Sequence, residues 1–272
     1  MAKKLKSVTL FPKAIALTIA GSDPSGGAGL QADLKVFQQL GVYGMSVVTL
    51  ITVQNTQGVK RLEILDPQLV LDQLEAILSD IPPAMIKIGA LGSTANVEAI
   101  ADRISTLDVP VVVDPVMISK HGHSLIDDEA VELYRTKLLR HAYLVTPNRF
   151  EAERLTGITL DSQDNVAKAI HDMHHMGARY VLLKLGEEEG KSMHVFGDGN
   201  ANVGHVVQRL QTQNTHGTGC ALSAAITARL SRGEKIHDCV NRAIEDVWQA
   251  IHAGQPLGQG HHPIEFRLIG AT

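Results

Sequence analysis

The sequence is poor in aromatic residues and cysteine, and it has no excess of positive charge. Phe, Trp and Tyr make up 4% of the 272 residues, and this scarcity, beside plentiful Val, Ile, Leu and Ala, favours a mostly parallel sheet covered by helices over an all-β sandwich. The two cysteines, Cys220 and Cys239, are too few for a disulfide framework, so a reducing cytoplasm is the expected setting. A net charge of −4 without a basic cluster argues against nucleic acid as the main partner.

Long hydrophobic runs are also missing. No window approaches the ~18 to 20 apolar residues of a membrane span, so we expect no membrane partner. Three early lysines precede the apolar run at residues 14–20, but Pro12 interrupts the approach and the run is too short for a signal peptide. We expect residues 1–13 to form a disordered or loosely attached tail and residues 14–272 to form a single α/β domain.

A glycine-rich loop, Gly21-Ser-Asp-Pro-Ser-Gly-Gly-Ala-Gly29, follows the first predicted strand at residues 15–19. Apolar residues at helical spacing come next, so the loop lies at the carboxyl end of the strand, where open α/β sheets bind ligands. It lacks the Lys-Ser/Thr pair of a P-loop, and the GxGxxG dinucleotide fingerprint is absent. Its small residues predict a backbone that closes over a small, flat substrate.

A second glycine-rich segment, Asn214-Thr-His-Gly-Thr-Gly-Cys220, leads into an alanine-rich run with the period of a helix. Unpaired amides and the helix dipole at such an N-terminus can bind a phosphate whose charge shifts during transfer. Cys220 enters the helix at this point, and we expect the same field to favour its thiolate. Taken alone, the segment is also compatible with a glycine-rich helix start and a buried cysteine.

Polar side chains recur where strands are predicted to end. Gln54 and Asn55 follow the strand at 45–51, where an amide can recognise a heteroatom-rich ring, with turn chemistry as the alternative. Residues 61–65 are predicted to form a short strand that belongs to a flap. We predict further strands at 85–89, 110–114, 142–146 and 180–184. They alternate with helices predicted at 67–79, 93–107, 127–139 and 162–176, and with one after 147–153. A hairpin at 191–210 and a helix at 235–253 follow. Polar residues stand at or just after the ends of three of these strands: Asp114, Asn148 with Glu151, and Lys184. The two acids suit the binding of Mg²⁺, and the lysine suits the nucleotide phosphates, as phosphoryl transfer requires.

Five motifs together resemble one known family. Residues 20–35, 53–59, 114–117, 146–148 and 214–220 are similar to the hydroxymethylpyrimidine/phosphomethylpyrimidine kinases of thiamine biosynthesis, in the ribokinase-like superfamily. The resemblance covers about residues 15–262. It implies a three-layer α/β/α domain with a mostly parallel central sheet. It also implies phosphorylation of 4-amino-5-hydroxymethyl-2-methylpyrimidine, and then of its monophosphate, with ATP and Mg²⁺, by in-line attack of the substrate hydroxyl on the γ-phosphate.

The resemblance further implies a role for each matched residue. Gln54 would hydrogen-bond the aminopyrimidine, in a pocket lined by Gly21, Asp23, Ala28, Ala90 and Val116. An anion hole would be formed by Gly217, Thr218 and Gly219, while Cys220 would accept the alcohol proton where most ribokinase-like kinases have Asp. Mg²⁺ would be supported by Asp114 and Glu151, and the nucleotide would lie near Asn148, Lys184 and Thr215. By analogy with ribokinase-like relatives, a homodimer is expected.

Two departures from the family pattern leave alternatives open. Ala90 stands where the family usually has Met, which should enlarge the pocket and make a bulkier ring such as pyridoxal conceivable. Leu185 and Glu187 replace residues of a common Lys-Gly-Gly-His turn, which puts local ATP contacts in doubt. The alternatives are a pyridoxal, pyridoxine or pyridoxamine kinase, or a dual enzyme, and a catalytically idle pyrimidine-binding protein.

Overall fold

Nine strands form one mixed sheet in the computed structural model, which describes residues 14–118, 126–188 and 190–271. In chain order they are β1 (Ile15–Ser22), β2 (Tyr43–Asn55), β3 (Gly58–Ile64), β4 (Met85–Ile88), β5 (Val111–Val113), β6 (Ala142–Val145), β7 (Tyr180–Glu188), β8 (Lys191–Gly197) and β9 (Asn202–Gln208). Their order across the sheet is β3-β2-β1-β4-β5-β6-β7-β8-β9. The six strands from β2 to β7 in this order are parallel, and antiparallel hairpins extend both edges. The tail predicted at 1–13 lies outside the described residues.

Helices cover both faces of the sheet. They are α1 (Gly29–Gln39), α2 (Pro67–Leu78), α3 (Thr94–Ile104), α4 (Asp128–Leu133), α5 (Arg149–Thr156), α6 (Gln163–His175), α7 (Thr218–Ser231) and α8 (Ile236–His252). Two separate hydrophobic clusters result, one between the sheet and α2 to α6, the other between the sheet and α1, α7 and α8. The predicted three-layer α/β/α fold with a mostly parallel sheet is therefore confirmed.

Several predicted element boundaries were wrong, among them the end of β1, which extends to Ser22 instead of residue 19, and the start of α5 at Arg149 instead of after residue 153. β2 continues to Asn55, because its last residues pair with β3 across a two-residue turn, so Gln54 and Asn55 lie within the strand rather than beyond it. β7 continues past Lys184 to pair with β8, with a bulge at Leu185, so the turn expected there is a strand. The helix predicted over 127–139 ends its α-helical part at Leu133 and continues as a π-helical turn.

The parallel strands place their carboxyl ends along one edge of the sheet, and the loops that follow β1, β4, β5 and β6 meet there. In parallel α/β sheets this edge is where ligands bind. None of the helices in the described part of the chain combines the length and the apolarity that a bilayer crossing needs.

Candidate active site

One cavity of about 680 Å³ opens at the carboxyl ends of the parallel strands. All fifteen residues singled out from the sequence line its wall: Gly21, Asp23, Ala28, Gln54, Ala90, Asp114, Val116, Asn148, Glu151, Lys184, Thr215, Gly217, Thr218, Gly219 and Cys220. The two glycine-rich loops and the amide of Gln54 thus face the same space. Their individual roles stay predictions, because lining a cavity does not establish a contact with a ligand.

Asp23 shapes the first loop from within. Its Oδ1 accepts hydrogen bonds from the amide of Ser25 at 2.9 Å and from the Ser25 hydroxyl at 2.7 Å. Its Oδ2 accepts one from the amide of Ala28 at 2.9 Å and lies 2.8 Å from Nε2 of His216 in the second loop. Burial opposes the charge of Asp23, but the bonds to His216 and Ser25 hold the pKa of its carboxyl below the ordinary value. Asp23, predicted to line the substrate pocket, therefore also ties the two loops together.

The two loops pack backbone against backbone. Gly217 has a left-handed φ of 85°, and a Cβ added there would lie 1.8 Å from the carbonyl oxygen of Gly27. Only glycine fits such a position, because a side chain would clash and would also strain the backbone. Gly217 caps α7, whose first turn begins at Thr218 and contains Gly219 and Cys220. Residues 217–220 line the cavity, and their anion-binding role stays a prediction based on the unpaired amides of a helix N-terminus.

The sequence left two interpretations of Gln54 and Asn55, ring recognition and turn chemistry, and the structure separates the two residues. Gln54 lines the cavity, and its Nε2 lies 3.4 Å from Nε2 of His216. Asn55 uses its Oδ1 to accept from the amides of Gln57 and Gly58, at 2.9 and 3.2 Å. Turn chemistry therefore accounts for Asn55, whereas the amide of Gln54 is presented to the cavity beside the second loop.

Asp114 and Lys184 form a buried ion pair at 2.9 Å under the first turn of α7. A Cβ on Gly219 would lie 3.5 Å from Nζ of Lys184 and 4.0 Å from Oδ2 of Asp114. The carboxylate also accepts from the hydroxyls of Thr146 at 3.0 Å and Ser223 at 3.1 Å. Burial opposes ionisation, but the charges of Lys184 and Lys87 and these bonds hold the pKa of Asp114 below its usual value.

Glu151 is a second buried carboxylate on the same side of the cavity. With Asn148 it forms the capping box of α5, in which the Asn148 amide donates to Glu151 at 2.8 Å and the Glu151 amide donates to Asn148 Oδ1 at 2.9 Å. Burial raises the pKa of Glu151 to about 7, with Lys184 opposing and the charge of Asp114 adding to the rise. Two buried acids therefore share the charge of one lysine.

The expectation that the Cys220 thiolate is favoured is wrong. Burial raises the pKa of Cys220 to about 11, and the charge of Lys87 opposes this rise only in part. Desolvation of a thiolate can exceed the stabilisation supplied by one helix terminus. The balance depends on the depth of the side chain, which the sequence does not reveal.

Lys87 is a wall residue that the sequence reasoning did not single out. It lies in the middle of β4 and is fully buried, paired with Asp33 of α1 at 2.7 Å. A lysine inside the otherwise apolar strand Met85-Ile-Lys-Ile88 is the signal that could have identified it, because an unpaired lysine is almost never fully buried.

An apolar arm of the cavity, between β9 and α8, was also missed. It is lined by Val207, Leu210, Ile244, Val247, Trp248 and Ile251. Trp248, the single tryptophan, donates its indole N–H to the carbonyl of Gln208 at 2.6 Å and stacks on His252. Such a surface suits a flat aromatic ring better than it suits phosphates.

The remaining predicted residues occupy defined places in the wall. The carbonyl of Ala90 accepts from the Thr49 hydroxyl at 2.6 Å, and the amide of Val116 bonds back to the carbonyl of Asp114 at 2.8 Å. The carbonyl of Thr215 accepts from the Thr218 hydroxyl at 3.3 Å. Leu185, expected to stiffen a turn, is instead buried in the core next to Gly186, which takes the left-handed conformation. The side chain of Glu187 lies outside the described residues.

The fold and the site together define a ribokinase-like kinase, with a helix N-terminus, a lysine and two acids in the wall of one cavity. The sequence matches the Phosphomethylpyrimidine kinase family over residues 23–265, so the chain belongs to that family. It is 45% identical over 95% of its length to the thiamine biosynthesis bifunctional protein of Geobacter sulfurreducens, but spans 53% of that longer protein. It is 40% identical to the hydroxymethylpyrimidine/phosphomethylpyrimidine kinase of Bacillus subtilis, covering 91% of this chain and 93% of the relative.

Solved structures of two kinds of vitamin kinase share the fold. Phosphomethylpyrimidine kinase from Clostridium difficile matches with a TM-score of 0.78 and 40% identity, over 88% of this chain and 100% of that one. The pyridoxal kinase of Bacillus subtilis, solved as an ADP complex, matches with a TM-score of 0.88 and 34% identity, over 95% of this chain and 99% of that one. The family resemblance and the prediction of a kinase are confirmed, and pyridoxal kinases share the fold closely.

Proposed function

We propose that the chain transfers the γ-phosphoryl group of ATP to the hydroxyl of 4-amino-5-hydroxymethyl-2-methylpyrimidine, and then phosphorylates the monophosphate to the pyrophosphate. The observation that carries this proposal is the convergence of three parts on one cavity: the first glycine-rich loop, Gln54, and the amides at the start of α7. Steady-state assays of ADP release with the pyrimidine and with its monophosphate, each with Mg-ATP, test both steps. Absence of turnover with both would overturn the proposal.

The pyrimidine would bind at the end of the cavity formed by the first loop. The Gln54 amide offers a donor and an acceptor, which suits a ring nitrogen and an exocyclic amine together. Gly21, Ala28 and Val116 would lie against the ring, because small side chains allow the backbone to approach a flat ligand closely. Ala90 leaves this part of the wall without a long side chain.

The nucleotide would extend from the anion-binding turn into the apolar arm. Lys184 and the amides of residues 217–219 are suited to the phosphates, and Asn148 and Thr215 lie in the adjoining wall. The arm beside Trp248 would accept the adenine, since it is lined by apolar side chains from α8. The ADP complex of the pyridoxal kinase neighbour supports nucleotide use by this fold.

The negative charges of Asp114 and Glu151 suit the binding of a Mg²⁺ ion. Both are buried and acidic and share Lys184, and burial and the neighbouring negative charge raise the pKa of Glu151 to about 7. A divalent cation would relieve this excess of negative charge, and Mg²⁺ commonly keeps waters while binding one or two carboxylates and substrate phosphates. When bound, the ion would neutralise charge on the transferring phosphoryl group.

The chain's own residues would then position the reactants and receive a proton. The substrate oxygen forms a bond to the γ-phosphorus while the bond to the β–γ bridging oxygen breaks, and ADP leaves. The hydroxyl proton passes to the Cys220 thiolate, which must first have lost its own proton to solvent. Positioning and electrostatic stabilisation would supply most of the rate, since the phosphoryl transition state is loose. ATP as the donor is consistent with a cytoplasmic reaction, and the expected homodimer stays a prediction that sedimentation velocity tests.

A second candidate is a pyridoxal kinase, or a dual enzyme, and two observations favour it. The cavity wall has the small side chain of Ala90 where the family usually has Met, and the pyridoxal kinase of Bacillus subtilis matches the fold with a TM-score of 0.88. Measurement of kcat/KM for the hydroxymethylpyrimidine and for pyridoxal side by side decides between the two. A strong preference for pyridoxal would reverse the order of the proposals. Pyrimidine binding in calorimetry without ADP release would instead identify an idle binding protein.

A further inference from the structure

A buried ion pair joins β4 to α1 beside the cavity. Nζ of Lys87 donates to both carboxylate oxygens of Asp33, at 2.8 and 2.7 Å, and the Thr18 hydroxyl donates to the same carboxylate at 2.6 Å. All three side chains are fully buried. The three groups come from β4, α1 and β1, so the tertiary fold fixes the position of the charge.

Lys87, the positive member of this pair, belongs to the cavity wall. Lys87 lies on the same face of β4 as Met85, which packs in the core shared with α1 and α7. Among the residues that the structure describes, Lys87 belongs to the wall of the cavity and Asp33 does not. A Cβ on Gly89 would lie 3.6 Å from the lysine Nζ, so the charge sits directly under the cavity floor.

Stability alone gives a weak reason for this pair. Removing two charges from water is costly, and replacing a buried ion pair by apolar residues of similar volume is often neutral or stabilising. The surrounding layer is apolar, formed by such residues as Ala32, Val36 and Ala221. A site that could be filled by apolar side chains instead holds a fixed cation in the wall of the cavity that Cys220 also lines, where β4 packs against α7.

The charged groups that act on Cys220 are Lys87 from β4, Asp33 from α1, Asp114 after β5 and Lys184 from β7. Burial raises the pKa of Cys220, and Lys87 is the strongest of the groups that oppose this rise. Asp33 itself acts in the unfavourable direction, but more weakly than Lys87. The ordering agrees with the placement of the pair, in which Lys87 belongs to the cavity wall.

We propose that Lys87, held by Asp33 and Thr18, is a positioning residue whose buried charge stabilises the Cys220 thiolate and so prepares it to accept the proton of the substrate hydroxyl. Lys87 stays protonated throughout and takes no part in the transfer itself. The consequence for turnover rests on the proposed kinase function, but the effect on the thiol does not.

The test removes the pair as a unit, because Lys87→Met alone would leave Asp33 buried without its partner. In the full chain, Lys87→Met with Asp33→Asn removes both charges at nearly constant volume. The rate of Cys220 alkylation by iodoacetamide, followed by mass spectrometry across pH, reports the thiolate fraction. We expect alkylation at a given pH to slow by about tenfold or more, which corresponds to one pKa unit. We expect kcat to fall in parallel while KM for both substrates stays within about twofold, because substrate contacts are intact.

The matched control is a second buried ion pair, Arg229 of α7 with Asp246 of α8, and neither residue is named in the cavity wall. Arg229→Met with Asp246→Asn removes the same charges and should leave the Cys220 alkylation profile in place. If the first double variant does not fold, Lys87→Gln with Asp33→Asn keeps a hydrogen bond between the two positions and serves instead. An unchanged alkylation profile in a folded variant would overturn the proposal, whereas a shifted profile in a chain without kinase activity would overturn only the proposed function.

Discussion

Lys184 and Asp114 are 70 residues apart in the chain, yet their side chains meet at 2.9 Å beneath the first turn of α7. The contact depends on β5 and β7, which both end their parallel pairing at this edge of the sheet. Burial opposes the charge of Lys184, but Asp114 and Glu151 raise its pKa above the ordinary value. The lysine is therefore held charged, close to where the phosphates are proposed to bind.

Replacing Lys184 by Met should lower kcat by about 10²- to 10³-fold, the usual cost of removing one donor that stabilises transition-state charge. Nucleotide binding should weaken as well, and the intrinsic fluorescence of Trp248, the single tryptophan, gives a direct titration with ADP. Lys191→Met, at the exposed start of β8, is the control and should change neither quantity. Wild-type turnover in the Lys184 variant would remove this residue from phosphate binding.

Cys220 should govern the alkaline side of the pH profile. Burial raises its pKa to about 11, so the thiolate fraction grows with pH and kcat/KM should rise towards alkaline pH. Cys220→Ala should cut kcat by roughly 10²- to 10⁴-fold, the contribution of a positioned general base, with a modest change in KM. Cys220→Asp should flatten the alkaline rise, since a carboxylate ionises at lower pH. Cys239→Ala, in the core, should behave as wild type, and a wild-type kcat in Cys220→Ala would exclude Cys220 from the chemistry.

The fold was predictable because its signals are local. Apolar strands alternate with amphipathic helices along the chain, and glycine-rich loops mark the ends of strands and the starts of helices. The position of the site at one edge of the sheet was predicted from the same pattern, because polar residues after β5 and β6 must lie close together when the strands are parallel. Asp114, Asn148 and Glu151 were found in this way, without any measure of distance.

What could not be predicted depends on depth and on partners distant in sequence. Strand lengths were underestimated for β2 and β7, because their extra residues pair only with edge hairpins. The predicted direction of the Cys220 pKa shift was wrong, because burial raises the pKa of this thiol and burial is a tertiary property. The pairing of Lys87 with Asp33 joins β4 to α1 across 54 residues, and no local pattern indicates it.

Glu151 should make the ligand-free chain less stable at alkaline pH. Its carboxyl keeps a proton to about pH 7 when folded, but ionises near the ordinary value of 4.5 when unfolded. Its contribution to stability is therefore fully present below the unfolded pKa and is lost as the pH rises through the folded pKa. Glu151→Gln keeps the capping box, because Gln serves at the same helix position. The Tm of this variant relative to wild type should rise between about pH 5 and pH 8, by roughly 2–4 °C for each kcal/mol.

A Tm difference that stays constant over this pH range would show that Glu151 ionises normally in the folded chain. Glu153→Gln is the control on the same helix, and its Tm difference from wild type should not follow the same rise. Kinase turnover should fall in Glu151→Gln, since one of the two proposed Mg²⁺-supporting carboxylates is lost.

Gln54→Ala should raise KM for the pyrimidine by about 10- to 100-fold with little change in kcat, because two hydrogen bonds made equally in ground and transition states are lost. Gln57→Ala is the matched control, since Gln57 lies in the exposed turn of the same hairpin and bonds Gln259 at 3.0 Å. KM should stay unchanged in that variant. An unaltered KM in Gln54→Ala would show that the ring is recognised elsewhere in the cavity.

Ala90 should set the size of ring that the cavity accepts. Its backbone is fixed by the 2.6 Å bond from the Thr49 hydroxyl, so a longer side chain at this position would enter the cavity instead of displacing the strand end. Ala90→Met should therefore penalise pyridoxal, the bulkier ring, more than the pyrimidine. We expect the ratio of kcat/KM for the pyrimidine over pyridoxal to rise by about tenfold or more, within the range that a small change in pocket volume supplies. Ala95→Met, exposed on α3, adds the same side chain outside the cavity and should leave the ratio unchanged. An equal loss of activity towards both substrates in Ala90→Met would mean that this position does not select between them.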